Sequence, residues 1–152
     1  MKVTDILVRD ASRLDLAASG KDEVLVEMAT ALAGAEPSID VDVLLHVLRE
    51  REELQSTGIG DGVAIPHGKL PGLDRLMVSF ARSPGVDFAA IDGEPTRLFF
   101  LLVVPEHSGR QHLQALARIS RFVRDESFRE RLLAAAKVED VFAAIEDEDA
   151  KF

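Results

Sequence analysis

The 152-residue chain sets 18 Lys and Arg against 27 Asp and Glu, a formal charge of −9, and contains 47% apolar residues and no cysteine. Length and apolar content fit one folded domain with a sizeable core and exclude general disorder, while the acidic balance argues against nonspecific binding to nucleic acid or an anionic membrane surface. Without cysteine there is no disulfide framework, thiol nucleophile or cysteine-ligated metal, which fits a reducing cytoplasm.

The opening residues, Met1 to Arg9, lack the apolar region of a signal peptide. Lys21 to Ala33 carries Val24, Leu25, Met28, Ala29 and Leu32 at helical spacing, with Ser19 or Gly20 as a cap. A second helix is expected from near Asp40 to Leu54, burying Val43, Leu44, Val47 and Leu48 and carrying Arg51 in its last turn. The apolar run Val63 to Ile65 reads as a short buried strand whose ladder Pro66 stops. Leu76 to Ala81 and Leu98 to Val104 read as further strands, the second apolar on both faces as a central strand between helices would be. That run is also the longest strongly apolar stretch, far short of the roughly 20 residues a membrane helix needs. Three helices are expected to close the chain: Gln111 to Val123 with Leu113, Leu116, Ala117 and Ile119 inward, then Phe128 to Ala136, then Val138 to Ile145. The pattern predicts a single α/β domain in three α/β/α layers around a central mixed sheet, with a core over about residues 5–146 and a frayed acidic tail from Glu146.

The densest chemistry lies between Ser56 and Gly68. Gly58, Gly60 and Gly62 stand at alternate positions and can turn main-chain N–H groups toward an anion, while Ser56 and Thr57 offer hydroxyls. His67 follows, placed between Pro66, which fixes φ, and Gly68, which frees it. An imidazole titrating near neutrality beside an oxyanion cradle is suited to phosphoryl transfer, where charge spreads over three oxygens. The plainer reading is a strand end and a turn, with Ser56 and Thr57 serving as local caps.

From Arg51 to Gly68 the chain resembles the signature of the type-2 enzyme IIA domains of the bacterial phosphoenolpyruvate-dependent phosphotransferase system, the fructose, mannitol and nitrogen-regulatory branch. The resemblance continues through Phe88 to Pro95, the run to Val104-Pro105, and His112-Leu113-Gln114-Ala115-Leu116, so it spans nearly the whole chain. It implies that His67 accepts a phosphoryl group from the phosphocarrier HPr and passes it to a IIB component or a regulatory target. It implies too that His112 lies beside His67 and that Arg51, sixteen residues before the active histidine, offers its guanidinium fork to phosphate. The site expected is therefore His67, His112 and Arg51, with Ser56, Thr57, Gly58, Gly60 and Gly62 around the phosphate. No cofactor or metal is expected.

Neither remaining histidine carries a chemical role: His46 reads as structural on the second helix, and His107 as a loop residue. His107 and His112 lack the spacing of paired metal ligands on one helical face. The glycine pattern is no dinucleotide fingerprint, because a helix precedes it and a strand follows, and Gly62 to Lys69 misses P-loop spacing. Two other classes stay open: a non-phosphorylating protein-binding module of the same fold, and a small-anion sensor. Lys2 to Leu7 resembles fructose-type domains, whereas Gly68-Lys69-Leu70 resembles the nitrogen-regulatory type.

Overall fold

The computed structural model describes residues 1–152. The chain begins with a short helix, α1 (Val3–Ile6), and a single 3-10 turn at Arg9–Ala11. Two longer helices follow, α2 (Lys21–Ala35) and α3 (Val41–Leu54). Asp40 starts α3 by accepting hydrogen bonds from the amides of Asp42 (2.9 Å) and Val43 (3.3 Å), two of the donors every helix start leaves unpaired. Five strands come next: β1 (Gly58–Gly60), β2 (Val63–Ala64), β3 (His67–Leu70), β4 (Met77–Val86) and β5 (Thr96–Pro105). Helices α4 (Gly109–Arg124), α5 (Glu126–Ala134) and α6 (Val138–Asp149) complete the chain.

β5 is central. It pairs antiparallel with β4 along one edge and parallel with β2 and β3 along the other, and β1 folds back antiparallel on β2. The sheet is therefore mixed, as expected. Both faces of β5 are covered, and its side chains alternate between two cores. Leu98, Phe100, Leu102 and Val104 pack with α4, α5 and α6; Phe99, Leu101 and Val103 pack with α2 and α3. A strand with no water-facing side has to be apolar at every position, which explains the unbroken run.

Several expectations need correction. Pro66 does not end the strand. β2 and β3 keep one register against β5, Val63 opposite Leu98 and His67 opposite Leu102, so the proline interrupts a single strand that resumes at His67. Pro66 supplies no N–H, but its carbonyl still accepts from Leu102 N (2.9 Å). Val43 on α3 is exposed, and so are Leu113 and Ala117 on α4; the inward stripe of α4 is Ala115, Ile119, Phe122 and Val123. Glu146 to Asp149 is no frayed tail but the last turn of α6, with Glu148 and Asp149 each only 5% exposed. No helix is long and apolar enough to cross a membrane.

Candidate functional site

Alternation along the interrupted strand aims the site. Val63 and Ile65 face the α4 side, so His67, two residues further, faces it too. His112 lies in the first turn of α4, three residues before Ala115 and seven before Ile119 on the stripe that packs on the sheet. The two imidazoles meet edge to face, with ring centroids 5.3 Å apart. Gly68 points to the opposite face, under α3. A Cβ placed there would lie 2.4 Å from Cγ1 of Val47. The bare glycine lets α3 lie close on β3, and its last turn then carries Arg51 to the edge of the cleft.

The cleft, about 620 Å³, is lined by His67, His112, Arg51, Lys69, Glu50 and Glu53, with Val47, Leu54 and Gly68. A second recess of about 350 Å³ lies beside it, sharing Arg51 and His67 and reaching Ser56, Thr57, Gly58, Ile59 and Ile91. The structure thus gathers His67, His112 and Arg51, as expected. Lys69 was not among the expected site residues. Its signal was available in the sequence: two residues beyond His67 on a strand, it projects from the same face.

Hydrogen bonding settles which nitrogen of His67 is free. Nδ1 lies 2.8 Å from the carbonyl oxygen of Ile65, and a carbonyl only accepts, so Nδ1 carries the proton. Nε2 then holds the lone pair. Burial pushes the pKa of His67 down, and the nearby Arg51 guanidinium adds to the fall; the Ile65 hydrogen bond and the Glu52 carboxylate oppose both. His112 is lowered as well, chiefly by burial, then by His67, Lys69 and Arg51. Its Nε2 is buried and has no protein partner. Arg51 spends one donor on the Gln55 carbonyl (Nη1, 2.8 Å) at the end of α3.

The expected phosphate cradle is engaged elsewhere. Ser56 Oγ donates to the Phe88 carbonyl (2.8 Å) and accepts from Gly58 N (3.0 Å), while the Thr57 hydroxyl and amide both donate to the buried Glu52 carboxylate. Gly60 and Gly62 form the tip of the β1–β2 hairpin, with Asp61 between them, at φ values of 93° and 75° that favour glycine. The anion this tip meets is internal: Asp61 N donates to Asp92 Oδ2 (3.1 Å). Gly60 and Gly62 line neither recess beside His67. His46 pairs with Glu50 on exposed helix surface, and His107 sits exposed in the loop before α4. No three His, Asp or Glu side chains cluster closely enough to hold a metal.

In this mixed α/β sandwich two imidazoles of lowered pKa share one cleft with Arg51, Lys69, Glu50 and Glu53. Residues 5–148 match the family described as "Phosphoenolpyruvate-dependent sugar phosphotransferase system, EIIA 2", and the chain belongs to that family. It is 38% identical over 146 residues to a nitrogen regulatory protein of Bradyrhizobium diazoefficiens, covering 95% of both chains. It is 39% identical over 130 residues to the fructose-specific EIIA component of Haloferax volcanii, covering 83% of this chain and 82% of that one. Among solved structures, the nitrogen regulatory protein IIA-Ntr of Neisseria meningitidis superposes with a TM-score of 0.88 at 34% identity, covering 94% of this chain and 98% of that one.

Proposed function

We propose that this chain is a phosphoryl carrier that accepts phosphate on Nε2 of His67 from an HPr-type phosphocarrier in the cytoplasm. One observation carries the reading: the Ile65 carbonyl holds the proton on Nδ1, so the lone pair of Nε2 is free to attack. In the transfer, a nitrogen–phosphorus bond forms at Nε2 as the donor's breaks, and the donor nitrogen keeps the electron pair. Lowered pKa values keep His67 neutral, and therefore nucleophilic, at pH 7. Arg51 and Lys69 supply positive charge to the phosphoryl oxygens, and the unpartnered Nε2 of His112, when protonated, supplies a hydrogen bond. Ser56, Thr57 and the glycines shape the loop in this reading and do not touch phosphate.

Partner binding is supported by the rim. Leu54, Ile91 and Leu113 are 83%, 77% and 69% exposed, and Leu54 and Ile91 line the two recesses. Apolar side chains standing this far into water beside a reactive group suit transient docking of a carrier protein. Similarity to nitrogen regulatory proteins over nearly whole chains supports a regulatory branch, in which the phosphorylation state is read by target proteins; similarity to the fructose-specific component supports onward transfer to a IIB component.

The test is incubation with phosphoenolpyruvate, enzyme I and HPr, followed by intact mass measurement. Gain of one phosphoryl group, labile in acid and stable in alkali, and lost in His67→Ala, is expected. An unchanged mass, or an adduct that persists in His67→Ala, overturns the reading. Nuclear magnetic resonance of the adduct should place phosphorus on Nε2.

A further inference from the structure

Glu52 sits in the last turn of α3 with its side chain only 6% exposed, a setting an isolated carboxylate would not tolerate. Three groups satisfy it. Thr57 donates to it through both hydroxyl and amide, the amide at 3.2 Å from each carboxylate oxygen, and Lys21 at the start of α2 approaches to 2.8 Å. Lys21 also lies over the Phe88 ring, 5.1 Å from its centroid, so the pair is walled on one side by an aromatic face. Replacing a buried ion pair by apolar groups is often neutral or stabilising, so fold stability alone does not account for this arrangement.

What the cluster controls follows from the next bonds along the chain. The carbonyl of Thr57 accepts from Ile65 N (3.0 Å), and the carbonyl of Ile65 accepts from His67 Nδ1 (2.8 Å). A continuous line of charge-assisted and main-chain bonds thus runs from Lys21 through Glu52, Thr57 and Ile65 to the imidazole. β1, β2 and β3 are each four residues or shorter, so the sheet itself holds this corner weakly. We infer that Glu52, clamped on Thr57 and Lys21, is the positioning residue that holds the Ile65 carbonyl against Nδ1 of His67 and so keeps Nε2 turned outward as the nucleophile. Ser56 secures the other side of the same segment by bridging the Phe88 carbonyl and Gly58 N. Glu52 touches neither ring. Its charge opposes the fall of the His67 pKa across space, but its hold on the tautomer runs through main chain.

This inference rests on the reading of His67 as the phosphoryl acceptor, yet it can be tested without any phosphate. The full chain is labelled with nitrogen-15, and the ring shifts of His67 are recorded at alkaline pH, where imidazoles are neutral. Wild type should show His67 almost wholly in the Nδ1–H tautomer. Glu52→Gln, which keeps size but loses the charge for Lys21 and one acceptor, should shift the ring toward a mixture of tautomers. Its phosphoryl uptake should slow by about 10-fold or more, because a catalytic group displaced by a fraction of an ångström loses its alignment. Thr57→Val, which removes the hydroxyl donor at nearly constant shape, should move both readouts the same way, and Thr57→Ser should restore them. If Glu52 only stabilised the fold, the variants would melt earlier while tautomer and rate, measured well below melting, stayed at wild type; that outcome overturns the inference. Should Glu52→Gln fail to fold, the Thr57→Val and Thr57→Ser comparison decides alone. Absence of phosphoryl uptake in the wild type would instead refute the acceptor reading and leave the tautomer result standing.

Discussion

Burial is the main force that lowers the pKa of both imidazoles; the Arg51 charge adds to the fall at His67, and His67, Lys69 and Arg51 add to it at His112. Both folded-state pKa values lie below the unfolded 6.5, so in the interval between them the unfolded chain binds more protons than the native one. The stabilisation these groups contribute is therefore complete above the unfolded pKa and is lost as pH falls through 6.5 toward the folded values. Phosphoryl uptake should fall with a midpoint below 6.5, where His67 protonates; a decline centred on 6.5 would contradict the lowered pKa. His112→Ala should slow transfer by about 100-fold if its buried Nε2 donates to the developing charge, measured at unchanged fold. Arg51→Lys should remain impaired, since a point charge cannot reproduce two parallel N–H contacts, whereas Arg49→Ala should transfer normally. Arg49 is bound in a bidentate pair with Asp22 (2.7 and 2.8 Å) on exposed surface, and its loss should leave thermal stability nearly unchanged. At this scale the sequence exposed the residue types but not their directions. His67 stood out from its Pro-His-Gly context, whereas only the family resemblance pointed to His112 and Arg51 as its neighbours in the cleft. For Ser56 and Thr57 phosphate contact and a local cap both stayed open, because a hydroxyl near a histidine looks the same in sequence whether it faces a ligand or, as here, Phe88 and Glu52.

Gly68 shows how an element carries a site residue into place. Adding a methyl group there pushes on Val47, a β-branched side chain with little freedom to swing aside inside a helix. Gly68→Ala should cost about 1–3 kcal/mol and displace the end of α3 that carries Arg51, lowering transfer as well as stability. Val47→Ala removes the obstructing atoms, so the double variant should be more stable than the two single changes sum to. Thermal unfolding of the four proteins measures that coupling, and strict additivity would show that α3 does not depend on this contact. The helices themselves were readable from spacing, since α2 and α3 begin and end within two residues of expectation. The face of α4 was read only in part, with Leu116 and Ile119 inward as expected and Leu113 and Ala117 not. Its inward stripe includes the half-buried His112, and a polar residue at a core-facing position led the apolar count to settle on Leu113 and Ala117 instead. The break at Pro66 was misjudged for a related reason. Composition marks a missing N–H, but only the register against β5 shows that the strand continues past it.

At the scale of the whole molecule, the two ends of the chain close on each other. Asp149, at the end of α6, accepts hydrogen bonds from Val3 N (2.9 Å) and Thr4 N (3.0 Å), the first amides of α1, and from Arg118 Nε on α4 (3.1 Å). One carboxylate thus ties α1, α4 and α6 together and completes the core that the sheet shares with those helices. The sequence hid this because four consecutive acidic residues ordinarily mark a solvated end; nothing local says that one of them will find two unpaired amides 145 and 146 residues away. Asp149→Ala leaves those amides and the largely buried Arg118 guanidinium without their partner. The expected cost is about 3 kcal/mol, with water reaching Arg118 holding it toward the low end for a broken buried pair. Asp149→Asn keeps one acceptor for the helix start but no charge for Arg118, and should fall between Ala and wild type. Hydrogen exchange separates local from global effects: in Asp149→Ala the amides of Val3 and Thr4 should lose protection while those of β5 keep theirs. His112 stands six residues before Arg118 on α4, so a loosened α4 would also slow phosphoryl uptake, by less than His112→Ala does. A loss below about 1 kcal/mol, with unchanged protection at Val3 and Thr4, would return Asp149 to the status of an ordinary surface carboxylate.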